Sequence, residues 1–376
     1  MRVVSALMIQ TTNAGVAHYR LESWAKAAHR TRAGNFYLPW WDKALTETHP
    51  WEVDIDDTRY RNRILDELND HVKKADVVVA QMVHTRSALD ILLSIKDAYK
   101  IPVVTEIDDN ILSTPTYNPA DGVYRPGSAF RSLAIEQFKM SDAMIVSTPY
   151  LAEVYGEFNA NIHVVPNSLD FRIWDNLKHR RNQDDVKIGW AGGASHEDDL
   201  KLIEPVVHAI LEKHKNVRFC FVHGIPPFLR GIDRVEEFHD FTRIDRYPQA
   251  LASRSFDIGM APLVDNAFNR AKSNLRWLEY AGLKVPCVAS RVGHFAETIA
   301  QMEDGVLCDS EEEWISALSW LVGDAISRKK IGKAANQKAR RQFNVEANVF
   351  DYAKILVRVL ERHEEAKAEE SQEAAA

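Results

Sequence analysis

The chain has 376 residues, enough for two domains, and its 45% hydrophobic and 27% charged content is ordinary for a soluble globular protein. The net charge of −7 argues against a nonspecific nucleic-acid binder, which usually needs a basic face, although a local basic groove stays open. Three widely spaced cysteines and the lack of an apolar run of about 18 residues exclude a disulfide scaffold and a membrane-spanning helix, so we expect a cytoplasmic protein.

Short β-branched runs alternate with longer amphipathic segments throughout the first half. The runs predict strands at Val3–Ile9, Val77–Gln81, Val103–Glu106, Ala143–Ser147 and Ile162–Val165. The amphipathic segments predict helices at Ala17–His29, Tyr60–Lys73, Arg86–Ala98, Ser128–Met140 and Pro149–Glu157. Strands separated by helices are typical of a parallel, doubly wound α/β sheet.

A polar segment at 167–185 interrupts this alternation and predicts a link between two domains, after which the alternation resumes. Strands are predicted at Lys187–Ala191, Val217–Val222, Asp257–Pro262, Val285–Ala289 and Gly305–Cys308. Helices are predicted at Asp198–Lys213, Tyr247–Ser253, Ala271–Gly282, His294–Met302, Glu311–Val322, Ile326–Gln342 and Val345–His363. We predict an α/β protein with domains at 1–168 and 169–345, a final helix at 346–363 and a disordered tail at 364–376.

The segment 257–290 contains the most informative pattern, a strand followed by a polar loop and a helix. The predicted helix begins near Ala271-Lys272-Ser273-Asn274, and a helix N-terminus binds anions through its free N–H groups and dipole. Lys272 adds a charge suited to a diphosphate, and Ser273 can cap the helix or donate to phosphate. Glu279, about two turns later, can accept hydrogen bonds from a ribose diol. A capped helix with an exposed glutamate is the alternative.

This segment resembles the donor-binding signature of GT-B glycosyltransferases, in particular the large retaining family numbered four. Gly-Leu-Lys-Val-Pro-Cys-Val-Ala-Ser at 282–290 fits the end of that signature, and Glu279 fits the second glutamate of its E-x7-E pair. The first glutamate would fall at Ala271, a departure that leaves retention and the donor sugar open. The resemblance implies two Rossmann-like domains facing a cleft, with the final helix crossing back to the first domain.

Two glycines follow the first predicted strand of the second domain. Gly192 and Gly193 would let the backbone approach a pyrophosphate, and Ser195 can cap the next helix, although a purely structural turn is the alternative. In the resembling family this turn contacts the donor phosphates, but the Arg and Lys expected just beyond it are missing up to Lys201. The acidic run at 196–199 fits a favourable helix N-terminus better than a metal site.

Three further loops are assigned by the resemblance. His223 follows a strand where relatives border the nucleotide base, and Tyr247 begins a helix near the same pocket. Gly15 follows the first strand, where relatives extend a loop toward the donor phosphates and acceptor. Asn274 and Ser273 complete the predicted donor set.

Two adjacent acids, Asp108 and Asp109, directly follow a buried predicted strand. They are candidates to orient an acceptor hydroxyl or act as its base, and capping of the next loop is the alternative. Residues 117–127 read as a long loop, which we interpret as an acceptor-side lid.

The sequence therefore predicts a glycosyltransferase that moves a sugar from a UDP- or GDP-linked donor to an acceptor hydroxyl. The resemblance implies retention and no metal or other cofactor, and Asp108, Asp109 and Lys272 are the catalytic candidates. The acceptor is not identified and could include modified DNA, although the net charge does not indicate nucleic acid. A noncatalytic nucleotide-sugar-binding module and a nucleotide-sugar epimerase are the alternatives, and the oligomeric state is not predicted.

Overall fold

The computed structural model describes residues 2–10, 15–38, 68–118, 120–177, 185–193, 196–222, 224–238, 244 and 246–374. These residues form two compact units. The first comprises residues 1–112, 123–166 and 345–376, and the second comprises residues 113–122 and 167–344. The prediction of two open parallel α/β sheets is confirmed.

The first unit is built on a parallel sheet in the order β2-β1-β3-β4-β5-β6. Its strands are β1 (Ser5–Ile9), β2 (Asn35–Tyr37), β3 (Val77–Gln81), β4 (Val103–Ile107), β5 (Ala143–Val146) and β6 (Ile162–Val164). Its helices are Gly15–Ala17, the π-helical turn His18–Glu22, Ser23–Thr31, Arg86–Tyr99, Asp121–Tyr124, Ala129–Met140, Pro149–Tyr155 and Val345–Glu373. The predicted helix Tyr60–Lys73 lies largely outside the described residues.

Buried apolar strands and one long helix form the core of the first unit. All five residues of β3 and of β4 are buried, as expected for central strands covered on both faces. The helix Val345–Glu373 packs on Ser23–Thr31, where Tyr352 stacks on Trp24 with ring centroids 5.0 Å apart. This helix continues to Glu373 through most of the segment predicted as a disordered tail, and Glu364 in that part pairs with Arg2 at 2.8 Å.

The second unit is a parallel sheet in the order β12-β11-β10-β7-β8-β9. Its strands are β7 (Val186–Ala191), β8 (Val217–Val222), β9 (Val235–Phe238), β10 (Ile258–Ala261), β11 (Cys287–Ser290) and β12 (Val306–Cys308). The chain builds outward from β7 through β8 to β9, then returns to the other side of β7 as β10. The carboxyl ends of β7 and β10 therefore form a topological switch point, where open α/β sheets bind ligands.

Helices cover both faces of the second sheet. They are Phe171–Trp174, Glu197–Lys201, Glu204–Lys213, the 3₁₀ turn Pro227–Leu229, Tyr247–Arg254, Ala267–Arg270, Leu275–Gly282, Gly293–Thr298, Glu311–Gly323 and Ala325–Gln342. The predicted single helix Asp198–Lys213 is two helices, because Pro205 lies in the first turn of the second and has no N–H to continue the first. The predicted helix Ala271–Gly282 begins only at Leu275, after a separate short helix that ends at Arg270.

Candidate functional site

The helix Leu275–Gly282 is fixed directly on the two strands of the switch point. The hydroxyl of Tyr280 donates to the carbonyl oxygens of Met260 at 3.1 Å and Gly189 at 3.3 Å. Gly259 makes room for this ring, because a Cβ there would lie 2.5 Å from its Cδ2 atom. Burial raises the pKa of Tyr280 well above its usual range, so the hydroxyl keeps its proton for these bonds. The N-terminus of the helix is thereby held at the carboxyl edge of the sheet.

Lys272, Ser273 and Asn274 lie in the turn that leads into this helix. The Nζ atom of Lys272 lies 4.3 Å from the centroid of the Phe268 ring. Asn274, not Ser273, occupies the N-cap position, and its fully buried side chain donates to the Thr298 hydroxyl at 3.0 Å. Of the two roles considered for Ser273, capping of the helix is therefore not the one the structure has.

Ser273 has a different partner, since its hydroxyl accepts a 2.8 Å hydrogen bond from the side chain of Asn167. Asn167 belongs to the segment predicted only as interdomain structure, and it is 2% exposed. The bond joins the segment that enters the second unit to the turn that carries Lys272. It fixes the backbone of that turn before any ligand binds.

Glu279 is a buried carboxylate rather than an exposed one. It is 6% exposed, and its Oε2 atom accepts a 3.1 Å hydrogen bond from the hydroxyl of Tyr247. Burial and the neighbouring Glu279 carboxylate raise the pKa of Tyr247 well above its usual range. Because the helix begins at Leu275, Glu279 does not share a continuous helix with Lys272, and the predicted spacing of two helical turns between them is wrong.

The two glycines after β7 differ in their surroundings. A Cβ on Gly192 would lie 2.5 Å from Nη2 of Arg276 and 2.5 Å from Cζ2 of Trp190, whereas a Cβ on Gly193 would meet nothing within 4 Å. Gly192 thus leaves room for a guanidinium at the end of the strand, and Gly193 leaves the turn open. Ser195 and His223, two further predicted donor residues, lie outside the described residues.

Arg276 is the functional candidate that the sequence analysis missed. It lies in the first turn of the helix Leu275–Gly282, with its guanidinium carbon 5.1 Å from the centroid of the Trp190 ring. Its Nη2 atom lies 3.4 Å from Nε2 of His196. The family's Arg and Lys were expected just after Gly193 in sequence. Here a cation reaches the same turn from a helix more than 80 residues later. The only sequence signal for Arg276 is its position four residues after Lys272.

Both cations affect the pKa of His196. Burial, the positive charge of Arg276 and, to a smaller extent, that of Lys272 together lower its pKa to about 4, against the opposing hydrogen bond to Asp199. At neutral pH the imidazole is therefore uncharged. Lys272 and Arg276 thus act on the same side chain beside the Gly192 turn.

Asp108, Asp109 and Gly15 lie in the first unit. Asp108 and Asp109 are partly buried just after β4. The Tyr155 hydroxyl donates to the Asp109 carbonyl at 2.6 Å, and the Ser147 hydroxyl donates to the Asp108 carbonyl at 3.4 Å. Gly15 begins the helix after β1. These bonds fix the backbone that carries the two carboxylates.

A buried ion pair supports the end of β4. Arg20 and Glu106 are each 1% exposed, with the Nε and Oε1 atoms 2.5 Å apart, and Arg20 also donates to the Val165 carbonyl at 2.7 Å. Arg20 lies in the π-helical turn His18–Glu22, a local geometry that is frequent at functional sites. Burial lowers the pKa of Arg20, but the charges of Glu106 and Asp108 outweigh it and raise the pKa overall.

Part of the loop predicted as an acceptor-side lid belongs to the second unit. Tyr117 lies in the segment 113–122, and its hydroxyl accepts a 3.5 Å hydrogen bond from the side chain of Asn266. Burial and the charges of Asp199 and Asp198 raise its pKa, while the bond from Asn266 lowers it in part.

A cavity of 340 Å³ opens elsewhere on the second unit, at the carboxyl ends of β10, β11 and β12. Its charged lining residues are Asp265, Arg291, Asp309 and Glu311, three acids against one base. The single cation of the lining, Arg291, is already paired with Asp309 at 2.7 Å, so the cavity suits a diphosphate less well than the Gly192 turn does. Within the described ranges, no group of three or more His, Cys, Asp or Glu side chains is arranged to hold a metal ion.

A known protein family matches most of the second unit. Residues 185–324 match the family model described as glycosyl transferases group 1. Residues 185–324 therefore form a glycosyl transferases group 1 domain within a chain of the GT-B fold. The matched range contains Gly192, Arg276, Lys272 and Glu279, and no curated protein sequence matches the chain. In the described residues, no helix has the length and apolar content needed to cross a membrane.

Solved structures share the GT-B fold across both units of this chain. Sucrose-phosphate synthase from Thermosynechococcus elongatus matches with a TM-score of 0.67 and 12% identity, over 95% of this chain and 100% of that one. The catalytic domain of starch synthase IV from Arabidopsis thaliana, bound to ADP and acarbose, matches with a TM-score of 0.67 and 12% identity, over 96% and 100%. Anabaena HepE in complex with UDP-glucose matches with a TM-score of 0.60 and 12% identity, over 97% and 100%.

Proposed function

We propose that this glycosyltransferase takes a sugar from a nucleotide-diphosphate sugar bound by its second unit and transfers it to an acceptor hydroxyl. One observation carries the proposal. Lys272 and Arg276 flank the N-terminus of the helix Leu275–Gly282, beside the Gly192 turn at the switch point of the sheet. Two cations and a helix N-terminus at that place form a site for a diphosphate.

Glu279 is proposed as the partner of the donor ribose. Its carboxylate is held in place by Tyr247, and it retains acceptor capacity because a carboxylate has about four lone-pair sites. A fixed carboxylate accepts from two adjacent hydroxyls without further ordering cost. Anabaena HepE binds UDP-glucose and starch synthase IV binds ADP, which supports a nucleotide as part of the donor of this chain. UDP- and GDP-linked sugars are the donors we propose first.

The reaction breaks the bond between the anomeric carbon and the diphosphate oxygen, and negative charge develops on the leaving diphosphate. Lys272, Arg276 and the free N–H groups of the helix would stabilise that charge, since they are already oriented and need no reorganisation. We therefore propose that catalysis needs no metal ion. Turnover that EDTA leaves unchanged supports this. Turnover that EDTA abolishes and that Mg²⁺ or Mn²⁺ restores contradicts it.

Asp108 and Asp109 are proposed to orient the acceptor hydroxyl or take its proton. The acceptor bond then forms to the anomeric carbon as the proton leaves the hydroxyl. We propose retention of the anomeric configuration, from the likeness of residues 279–290 to the retaining family. The anomeric proton coupling of the product, measured by NMR, tests this, and an inverted product contradicts it.

Donor turnover tests the proposed function. The purified chain is incubated with UDP-, GDP-, ADP- and TDP-sugars, with and without simple hydroxyl acceptors, and release of nucleoside diphosphate is recorded. Release from one donor identifies that donor. If a nucleotide binds but no donor turns over with any acceptor, a noncatalytic binding module is favoured. Interconversion of the free donor sugar would favour an epimerase, and the absence of both binding and turnover would reject the site.

A further inference from the structure

A fully buried carboxylate lies behind the Gly192 turn. Asp199 is 0% exposed. Its Oδ1 atom accepts hydrogen bonds from the backbone N–H of Val264 at 2.8 Å and from the side chain of Asn269 at 2.7 Å. Its Oδ2 atom lies 2.7 Å from Nδ1 of His196. These three contacts fix the orientation of the Asp199 carboxylate.

Asp199 determines the tautomer of His196. Because an ionised carboxylate can only accept, Nδ1 of His196 carries the hydrogen, and the neutral ring then has its lone pair on Nε2. That atom lies 3.4 Å from Nη2 of Arg276. Burial, opposed by the bond to Asp199, lowers the pKa of His196 to about 4, which keeps Nε2 an acceptor at neutral pH. The three side chains form an ordered chain from a buried anion to a cation.

Arg276 is held from two directions. Trp190 lies under the guanidinium, with 5.1 Å between the guanidinium carbon and the ring centroid, and Nε2 of His196 accepts from its edge. The missing side chain at Gly192 leaves the space that Nη2 occupies. A free arginine side chain loses rotamer entropy when a ligand orders it. An arginine that is already ordered avoids most of that cost.

We propose that His196 and Asp199 are positioning residues that orient Arg276 to bind the diphosphate of the donor. The inference rests on the proposed function and adds to it. Lys272 supplies a point charge, whereas Arg276 supplies a planar set of donors whose direction is set by the His196–Asp199 pair. The acidic run at 196–199, predicted to favour a helix N-terminus, therefore has a second role through its buried member.

His196→Asn separates the two contacts of the imidazole. An asparagine amide places a nitrogen near the position of Nδ1, so it can still donate to Asp199, but it does not reach Arg276. We expect this variant to bind UDP or ADP about tenfold more weakly in calorimetry, the effect of one lost hydrogen bond to a charged group. Binding of uridine and adenosine should not change, because the loss concerns the phosphates alone.

Arg276→Ala and the double variant of His196→Asn with Arg276→Ala complete a double-mutant cycle. If His196 acts through Arg276, adding His196→Asn to Arg276→Ala causes no further loss of UDP or ADP affinity. An equal loss in both backgrounds, or equal weakening of the nucleosides, overturns the proposal. So does wild-type affinity in His196→Asn. If the wild-type chain binds none of UDP, ADP, GDP and TDP, the proposed function fails and the positioning role fails with it.

His196→Gln tests the proposal independently if His196→Asn does not fold, as checked by circular dichroism. The longer amide can present its oxygen to Arg276 near the position of Nε2. This variant should bind UDP or ADP within about threefold of wild type. A loss as large as that of Arg276→Ala contradicts the proposal.

Discussion

The hydroxyl of Tyr247 donates a 3.1 Å hydrogen bond to Oε2 of Glu279, a residue that is 6% exposed. The two residues are 32 positions apart and belong to different helices of the second unit. Tyr247 is the first residue of one helix, and Glu279 lies within the other. The bond fixes the direction of the Glu279 carboxylate. That direction is what a ribose-binding role requires.

Replacing Tyr247 with Phe should lower the free energy of unfolding by about 1–2 kcal/mol, because a buried carboxylate loses a hydrogen bond. Tyr352→Phe is the matched control. The Tyr352 hydroxyl is buried, and in the described residues it has no hydrogen-bond partner, so its removal should cost less than about 0.5 kcal/mol. Urea unfolding of both variants gives the comparison. Equal losses would show that the Tyr247 bond to Glu279 contributes nothing specific.

Gly192→Ala should destabilise the second unit by about 1–3 kcal/mol, since the added Cβ would lie 2.5 Å from Arg276 and from Trp190. Gly193→Ala has open space and should stay within about 0.5 kcal/mol of wild type. Thermal unfolding distinguishes the two. A stable Gly192→Ala would mean that Arg276 moves aside without cost, which would contradict its fixed position.

Stability should depend on the protonation of His196. Its pKa falls from 6.5 in the unfolded chain to about 4 in the folded one, because of burial and of Arg276 and Lys272, while Asp199 opposes the shift. Between these values the unfolded state binds more protons. The contribution is therefore complete above pH 6.5 and is lost as the pH falls toward 4. At about 1.4 kcal/mol per pKa unit it is on the order of 3 kcal/mol.

Urea unfolding at pH 7 and pH 4.5 tests this dependence, with His196→Asn as the control. The wild type should lose more stability than the variant over that interval, because asparagine does not titrate. The same loss in both proteins would show that the imidazole is not held neutral in the folded state.

Ala271 occupies the position of the family's first glutamate, and its side chain is 1% exposed. Ala271→Glu should be less stable than Ala271→Gln at pH 7, because the two side chains have similar volumes and only the glutamate buries a charge. The difference in stability between the two variants should narrow toward pH 4. Burial raises the pKa of the new carboxyl, so it is protonated there and no longer buries a charge. Thermal unfolding measures it. A stable Ala271→Glu with higher donor turnover would instead show that the position is open to the sugar.

The sheets were predictable because their strands are continuous apolar runs. Val77–Gln81 and Val217–Val222 agree with the structure to the residue, as buried strands bounded by polar loops should. Asn35–Tyr37 and Val235–Phe238 were not predicted. They are short edge strands, and the second carries two glutamates, so neither shows an apolar run.

The candidate site was predictable only where its chemistry is local. Lys272 and Glu279 stand in one motif, but the direction of Glu279 depends on Tyr247 in another helix. Arg276 acts at a turn 84 residues earlier, at Gly192, and Asp199 accepts from Val264 and Asn269 across the sheet. Contacts between distant segments leave no periodic signal in one sequence, which is why charge pattern alone assigned Asp199 to the helix N-terminus.

The most direct test of the donor site is the kcat/KM for nucleoside diphosphate release by Lys272→Ala, compared with Lys333→Ala. Lys333 is an exposed lysine on the helix Ala325–Gln342 of the same unit, so its loss changes the net charge equally. Removing a group that stabilises developing charge should lower kcat/KM about 100-fold or more in Lys272→Ala and leave Lys333→Ala near wild type. Equal activity of the two variants would contradict a diphosphate site at the start of the helix Leu275–Gly282.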